Sequence, residues 1–310
     1  MIEDGHVLVI GSAGIDIKGR PPSDLTPGIP NLGMVQNSVG GVARNIAENL
    51  ARLEVPVTLI SAVGRDVEGA RVLRVCERAG VDVRAMRRVP GLRTGTYMAL
   101  LHPDGQLNVA ISDFDIIRTV DTKYILQHEA LFDDALMVVV DATLEPDVLV
   151  TICDLATQRN IPIAADPTNP MLAGRLCPLL NMLYLIVPNA SETGALCGLS
   201  DADDRDSALE TARALVAKGV KIAVVTLGPD GLVYAHGGGV GYVRAIQTRV
   251  VDATGAGDAF TGAMLFGVLN DVPLDEAMRL GATAASLTLR SRNTVLPNLS
   301  QELLYDELMA

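Results

Sequence analysis

Apolar positions along the chain follow two alternating rhythms. Short β-rich runs occupy residues 6–10, 57–63, 136–141, 161–166, 184–187 and 222–227, each the length of a strand. Between them, Val42, Ile46, Leu50 and Leu53 recur at helical spacing, as do Val72, Val75, Cys76 and Ala79. Each of these sets lays one apolar stripe on a sheet, so its residues are core and carry no chemistry. Strands alternating with helices predict an α/β fold, with a mostly parallel central sheet covered by helices on both faces.

Two regions break the rhythm. Residues 19–36 contain Pro21, Pro22, Pro27 and Pro30, which rule out a continuous helix and leave a loop with an edge strand. Within residues 94–111, two β-rich runs flank His102-Pro103-Asp104-Gly105, a hairpin signal with Gly at the turn. Together these segments, about residues 19–37 and 93–112, predict a small β-lid inserted in one domain that spans 1–310. Gly237-Gly238-Gly239, near Tyr234 and Tyr242, reads as a further hairpin turn. No internal repeat, low-complexity segment or linker divides the chain.

Composition narrows the partners. Apolar residues make up 49% of the 310, yet no run approaches the roughly 18 that a membrane span needs. Glu3 and Asp4 precede only a brief apolar strand, unlike the basic and then apolar layout of a secretory signal, so a cytoplasmic protein is expected. Lys and Arg number 25 against 37 Asp and Glu, a net charge of −12. That balance disfavours nucleic acid and anionic membranes, and any phosphate must be held locally. Cys76, Cys153, Cys177 and Cys197 form no CxxC pair and read as buried reduced thiols. His6, His102, His128 and His236 are scattered without metal-ligand spacing, which excludes a zinc enzyme pattern.

The stretch Val251-Asp252-Ala253-Thr254-Gly255-Ala256-Gly257-Asp258 leads into a nearly wholly apolar helix through Leu269. A glycine-rich turn entering a helix N-terminus is an anion site, because the first amides lack intrahelical partners and the dipole is positive there. Gly255, Ala256 and Gly257 are small enough to let a phosphoryl group reach the backbone. Asp258 has two readings. It is an acid placed favourably at a helix start, or a base that takes the proton of an attacking hydroxyl beside the anion site. A Walker loop would need a terminal Gly-Lys-Ser/Thr, and GxGxxG fails at Phe260.

Four further segments carry candidates. Asn189-Ala190-Ser191-Glu192 is nearly a capping box, and the same two side chains could organise Mg²⁺ water and triphosphate. Gly40 and Gly41 open a helix one turn before Asn45, which could bond a sugar hydroxyl, or they are a tight entrance turn. Asp16, just past the first strand, could accept from two vicinal hydroxyls or from turn amides. Thr226-Leu227-Gly228-Pro229-Asp230-Gly231 is an ordinary turn or a surface for a flat adenine or ribose.

In this order these motifs resemble the ribokinase-like, or PfkB-type, carbohydrate and nucleoside kinases over nearly the whole chain. The resemblance rests on Gly40-Gly41 with Asn45, Asn189-x-x-Glu192, Thr226-x-Gly228-x-x-Gly231, and Asp252-x-Thr254-Gly255-Ala256-Gly257-Asp258. Within that family the chain is most similar to the pseudouridine kinase group, through Ser12-Ala13-x-Ile15-Asp16, Gly40-Gly41-Val42-Ala43-Arg44-Asn45, Asp166-Pro167 and Pro297-Asn298-Leu299-Ser300. Gly14 departs from that group's pattern, which has Asn there.

The resemblance implies a three-layer sandwich with a β-lid that closes over the sugar and often forms a homodimer. It implies ATP and Mg²⁺, with Asp258 as base and the amides of Gly255, Ala256 and Gly257 as anion hole. Asp16, Gly40, Gly41 and Asn45 would hold the ribose, and Thr96, Asn108 and Ile111 are the candidates for base recognition. Asn189, Thr226, Gly228, Gly231 and Asn293 would line the nucleotide site, with Glu192 and Asn189 near Mg²⁺. Asp252, with the loop 290–293, would take K⁺, which some members require. The expected activity is phosphorylation of a ribosyl 5′-hydroxyl, pseudouridine first. The alternatives are a sibling sugar or nucleoside kinase, an idle nucleoside-binding sensor, and an NAD-dependent oxidoreductase that the missing GxGxxG disfavours.

Overall fold

The computed structural model describes residues 5–198, 202 and 204–309, without the side chain of Cys197. Glu3 and Asp4 lie outside these residues. In chain order the strands are β1 (His6–Ile10), β2 (Gly14–Arg20), β3 (Met34–Gly40), β4 (Val57–Ile60), β5 (Ala62–Gly64), β6 (Arg87–Val89) and β7 (Gly95–Leu101). They continue with β8 (Leu107–Asp113), β9 (Ala135–Asp141), β10 (Ile163–Asp166), β11 (Leu185–Ile186), β12 (Ile222–Thr226), β13 (Leu232–His236) and β14 (Gly239–Val243).

Eight strands form the central sheet in the order β14-β13-β12-β11-β10-β9-β1-β4. All neighbours pair in parallel except β12 with β13 and β13 with β14, the hairpin turned by the glycine run. The strands are apolar on both faces because each face carries a layer of helices. Alternation along β1 shows this directly, with Val7 and Val9 in one core and Leu8 and Ile10 in the other. The first core is closed by the helices Val42–Arg52, Val67–Ala79, Ala256–Leu269 and Leu274–Leu289. The second is closed by Pro146–Gln158 and Arg205–Ala217. This is the three-layer α/β sandwich that the alternating pattern predicts.

The sequence run 57–63 divides at Ser61, whose carbonyl accepts from the Arg87 amide at 2.8 Å, and the chain passes from the central sheet into the small β5–β6 pair. A third sheet has the order β3-β2-β7-β8. Its β7–β8 hairpin turns at residues 102–105, and β3 is an edge strand after the proline-rich loop. The unexpected member is β2: the sequence places Asp16 just past the first strand and residues 19–36 in a loop with an edge strand, whereas residues 14–20 form a strand that pairs with both β3 and β7.

Helix boundaries follow local chemistry. Asp66 caps Val67–Ala79 by accepting from the Gly69 amide at 2.7 Å, and Gly80, at φ 94°, ends that helix in the left-handed conformation. Asp66 also takes the Thr94 amide and hydroxyl, at 2.8 and 2.6 Å, and so ties the base of the third sheet to the helix layer. Cys76 and Cys153 are buried free thiols, and Cys177 is partly exposed. No helix of the described residues is long and apolar enough to cross a membrane.

Candidate active site

The glycine turn ends in Gly255, the N-cap of the Ala256–Leu269 helix, at φ 82°. A β-carbon there would lie 2.0 Å from the Thr294 carbonyl oxygen, so both the conformation and the space require glycine. No backbone or side-chain oxygen of the described residues accepts from the amides of Gly255, Gly257 or Asp258, and a β-carbon on Gly257 would meet open space. The helix behind is buried from Ala259 to Gly267, which fixes this terminus rigidly. The turn is therefore an open cradle of unpartnered donors at a positive dipole end.

Asp258 stands in the first turn of that helix and faces a cavity of about 550 Å³. Its Oδ2 accepts from Asn45 Nδ2 at 2.5 Å. Burial pushes its carboxyl up to about 7, with Asp16 and Asp141 adding to the rise while the Asn45 bond and Arg44 oppose it. Asn45 is oriented in turn by Arg44, whose Nη2 donates to Asn45 Oδ1, to the Val39 carbonyl and, at 3.1 Å, to Thr294 Oγ1. Arg44 is 1% exposed and paired with Glu48, which also binds Arg52. A buried guanidinium thus fixes which end of the Asn45 amide meets Asp258.

Asp16 lies mid-strand in β2 and lines the same cavity, as do Gly41, Asn45 and Gly255. Its carboxylate rests on Gly40, where a β-carbon would sit 2.2 Å from Oδ1, and Gly41 takes φ 97° against the Ser12 carbonyl. No hydrogen bond from the described residues reaches that carboxylate, so it is not spent on turn amides; burial pushes it up to about 6. In the third sheet Asp16 pairs with Ser38 and Tyr97, and Tyr97 with Ser112. Neighbours across a sheet share a face, so this polar row looks inward, and Tyr97, Ser112 and Phe114 line the cavity.

Thr96, Asn108 and Ile111 are not among the cavity-lining residues. Thr96 and Ile111 belong to the opposite face, with Ile111 69% exposed, and Asn108 sits at the register shift of β8. The difference is one residue of register, which exchanges the faces of a strand.

The rest of the site lies along the carboxyl ends of the central strands. Asp141, fully buried at the end of β9, accepts from the Ser12 amide and hydroxyl at 2.8 and 2.6 Å, and from the Ala43 amide at 3.1 Å. It locks the loop after β1 to the start of the Val42–Arg52 helix, between Asp16 and Asn45. Asp166, at the end of β10, is driven well above the usual carboxylate range by burial and then by Asp258, Glu192 and Asp141.

Asn189 and Glu192 form a complete capping box, with Glu192 accepting the Asn189 amide and side-chain Nδ2, each at 2.8 Å. Burial pushes Glu192 up to about 7 against those bonds. Asn189 pairs with Thr226 in an isolated bridge, which brings the Gly228–Asp230 turn alongside. Gly231 takes φ 90° there, 2.2 Å from the Val243 carbonyl by its would-be β-carbon. Asn189, Glu192, Thr226, Gly228, Gly231 and the exposed Asn293 stand outside the cavity lining. Among the described residues no three His, Cys, Asp or Glu side chains converge to hold a metal ion, so a divalent ion here would be held through water and phosphate oxygens.

Asp252 does not fit a K⁺ ligand. Its Oδ2 lies 2.7 Å from Lys18 Nζ, and its Oδ1 accepts the Thr254 amide at 2.9 Å. Sequence reading missed Lys18 and Asp141, whose partners are 234 and 129 residues away, Tyr97, which depends on register, and Arg44, which joins its neighbour Asn45 to Thr294, 250 residues on; only the inward period of β2, 16 then 18, could have flagged Lys18.

Comparison with known proteins agrees with this geometry. The pfkB family carbohydrate kinase model matches residues 4–301. Pseudouridine kinase of Escherichia coli K12 is 32% identical over 301 residues, covering 97% of this chain and 95% of that protein. Guanosine-inosine kinase of Exiguobacterium acetylicum is 29% identical, covering 94% and 97%. Arabidopsis thaliana ribokinase, solved with ribose and ATP, superposes with a TM-score of 0.82 over 99% of both chains at 21% identity. The fold, the glycine cradle with its aspartate and the match along nearly the whole length together place this chain in the pfkB family, as an ATP-dependent sugar or nucleoside kinase.

Proposed function

We propose that the protein transfers the γ-phosphoryl group of ATP to the 5′-hydroxyl of pseudouridine. The observation that carries this reading is one cavity shared by Asp258, the Gly255 turn and the unspent Asp16 carboxylate. The 5′-hydroxyl proton passes to Asp258 as its oxygen bonds the γ-phosphorus, the bond to the β,γ-bridging oxygen breaks, and ADP leaves. Charge on the moving group falls on the amides of Gly255 and Gly257, whereas the Ala256 amide, expected to join them, already donates to the Ala253 carbonyl at 3.4 Å. Asp16 takes the vicinal ribose hydroxyls over Gly40 and Gly41, and Asn45 holds base and sugar together. Asn189, Thr226, Gly228, Gly231 and Asn293 hold the nucleotide beyond the carboxyl ends of β11 and β12. Glu192 and Asn189 would hold Mg²⁺ through water, and the ion would supply neutralisation of phosphate charge. Glu192→Gln then shifts the Mg²⁺ concentration for half-maximal rate, and an unchanged titration returns Glu192 to capping alone.

Two observations support pseudouridine among the acceptors: the 32% identical relative, and the polar Tyr97 and Ser112 facing the cavity beside Asp16. The pseudouracil ring keeps two N–H groups, which such oxygens can accept. Steady-state ADP release with pseudouridine, uridine, ribose, adenosine and inosine tests the assignment. The highest kcat/KM belongs to pseudouridine, and a tenfold preference for another acceptor, written as about 1.4 kcal/mol, overturns it. The outer face of the third sheet carries Met98, Val109 and Ile111, 47%, 51% and 69% exposed, which supports a homodimer through the lid. A solution mass of twice 32.7 kDa accords with that, and a monomer at micromolar concentration excludes it.

A further inference from the structure

Lys18 is buried beside Asp252, the residue for which the family resemblance implies K⁺. It projects from β2 on the same face as Asp16, is 6% exposed, and donates to Asp252 Oδ2 at 2.7 Å. The two side chains are 7% and 13% exposed. Taking both charges out of water is costly, and the pair is stable only because each meets the other. Asp252 is held below the usual carboxylate range: burial works to raise it, and the Lys18 and Thr254 hydrogen bonds prevail.

The position matters because Asp252 lies three residues before Gly255, in the turn that shapes the anion cradle. An ammonium has the charge of K⁺, is of similar size, and bonds oxygens. With Oδ2 taken by Lys18 and Oδ1 by the Thr254 amide, the carboxylate is already neutralised from within the chain. We propose that the Lys18 ammonium is a built-in replacement for the monovalent cation beside Asp252, so that phosphoryl transfer by this enzyme needs no K⁺. The inference rests on the kinase reading above. Because Lys18 shares β2 with Asp16, the cation arrives on the strand that holds the sugar, and lid and cradle are joined by one ion pair.

The test compares wild type and Lys18→Met in KCl, NaCl and choline chloride at one ionic strength, reading ADP release with Mg²⁺–ATP and pseudouridine. Melting temperatures are read in the same three salts without substrate. Wild type is expected to work equally well in all three, with an unchanged melting temperature. Lys18→Met is expected to lose activity about tenfold or more in choline, as for a lost electrostatic group at the cradle, and to regain much of it in K⁺. KCl should also raise its melting temperature above that in choline chloride, as any ligand binding only the folded state does. Strong K⁺ activation of wild type overturns the proposal. So does a Lys18→Met loss that no cation repairs, which would make the pair a purely structural latch. If Lys18→Met does not fold, the wild-type salt comparison alone decides. If no acceptor is phosphorylated, the function assigned above fails, while the melting comparison still reports whether K⁺ binds.

Discussion

Asn45 donates its side-chain Nδ2 to Asp258 Oδ2 at 2.5 Å, joining the helix that begins at Val42 to the helix that carries Asp258, the proposed base. Arg44 holds the other end of that amide, so the donor cannot flip away. Because a donor favours the charged carboxylate, removing it raises an acid already pushed to about 7 by burial. In the free enzyme, kcat/KM should therefore rise with pH through a limb near 7. Asn45→Ala should move that limb to higher pH and lower the rate at pH 7. A limb near 4, or one that does not move, would separate Asn45 from the base.

Stability should run the opposite way to activity. Asp16, Asp258 and Glu192 have native values of about 6, 7 and 7, against ordinary carboxyl values near 4 in the unfolded chain. Between those limits the native state binds more protons than the unfolded state, so unfolding free energy falls as pH rises. Their contribution is fully present below about pH 4 and is lost through pH 6 to 7. Thermal melting across pH 5 to 8 should show wild type losing stability with rising pH and Glu192→Gln losing less. Equal slopes would mean that Glu192 is ionised in the native protein throughout.

Gly255 is fixed by its surroundings. Alanine would have to adopt φ 82° and place its β-carbon 2.0 Å from the Thr294 oxygen. Gly255→Ala should cost about 2 kcal/mol or more, from the left-handed conformation and the contact together. Denaturant unfolding measures this, and a cost within experimental error would show that the cradle is not packed against Thr294.

Tyr97 and Ser112 face the cavity in the row that contains Asp16. Tyr97→Phe should raise KM for pseudouridine by about tenfold, the worth of a hydrogen bond lost on binding, with KM for ATP unchanged. Acceptor titrations decide this. Equal KM values for pseudouridine in both proteins would remove Tyr97 from acceptor recognition.

Much of this was readable in advance, for definite reasons. The central strands are short apolar runs between helical stripes, and Gly255-Ala256-Gly257-Asp258 is a local motif whose turn, cap and helix lie within a few residues. Such local patterns survive in the fold. The register of the third sheet was not readable, because paired residues of β2 and β7, such as Asp16 and Tyr97, are 81 residues apart and a shift of one exchanges Tyr97 for Thr96. Lys18 and Arg44 carry full charges that nothing in the local sequence marks as buried, yet both are buried against partners at Asp252 and Thr294. Long-range ion pairs leave no period in a sequence, so the Lys18–Asp252 bridge could not be read beside the K⁺ role expected of Asp252.

The account depends most on Asp258. Asp258→Asn keeps the shape and the Asn45 neighbour while removing the base. Steady-state kinetics with pseudouridine and Mg²⁺–ATP, paired with calorimetric titration of ATP, should show kcat lower by about 10²–10⁴ with ATP binding nearly intact. Turnover close to that of wild type would contradict the assignment of Asp258 as the group that takes the proton.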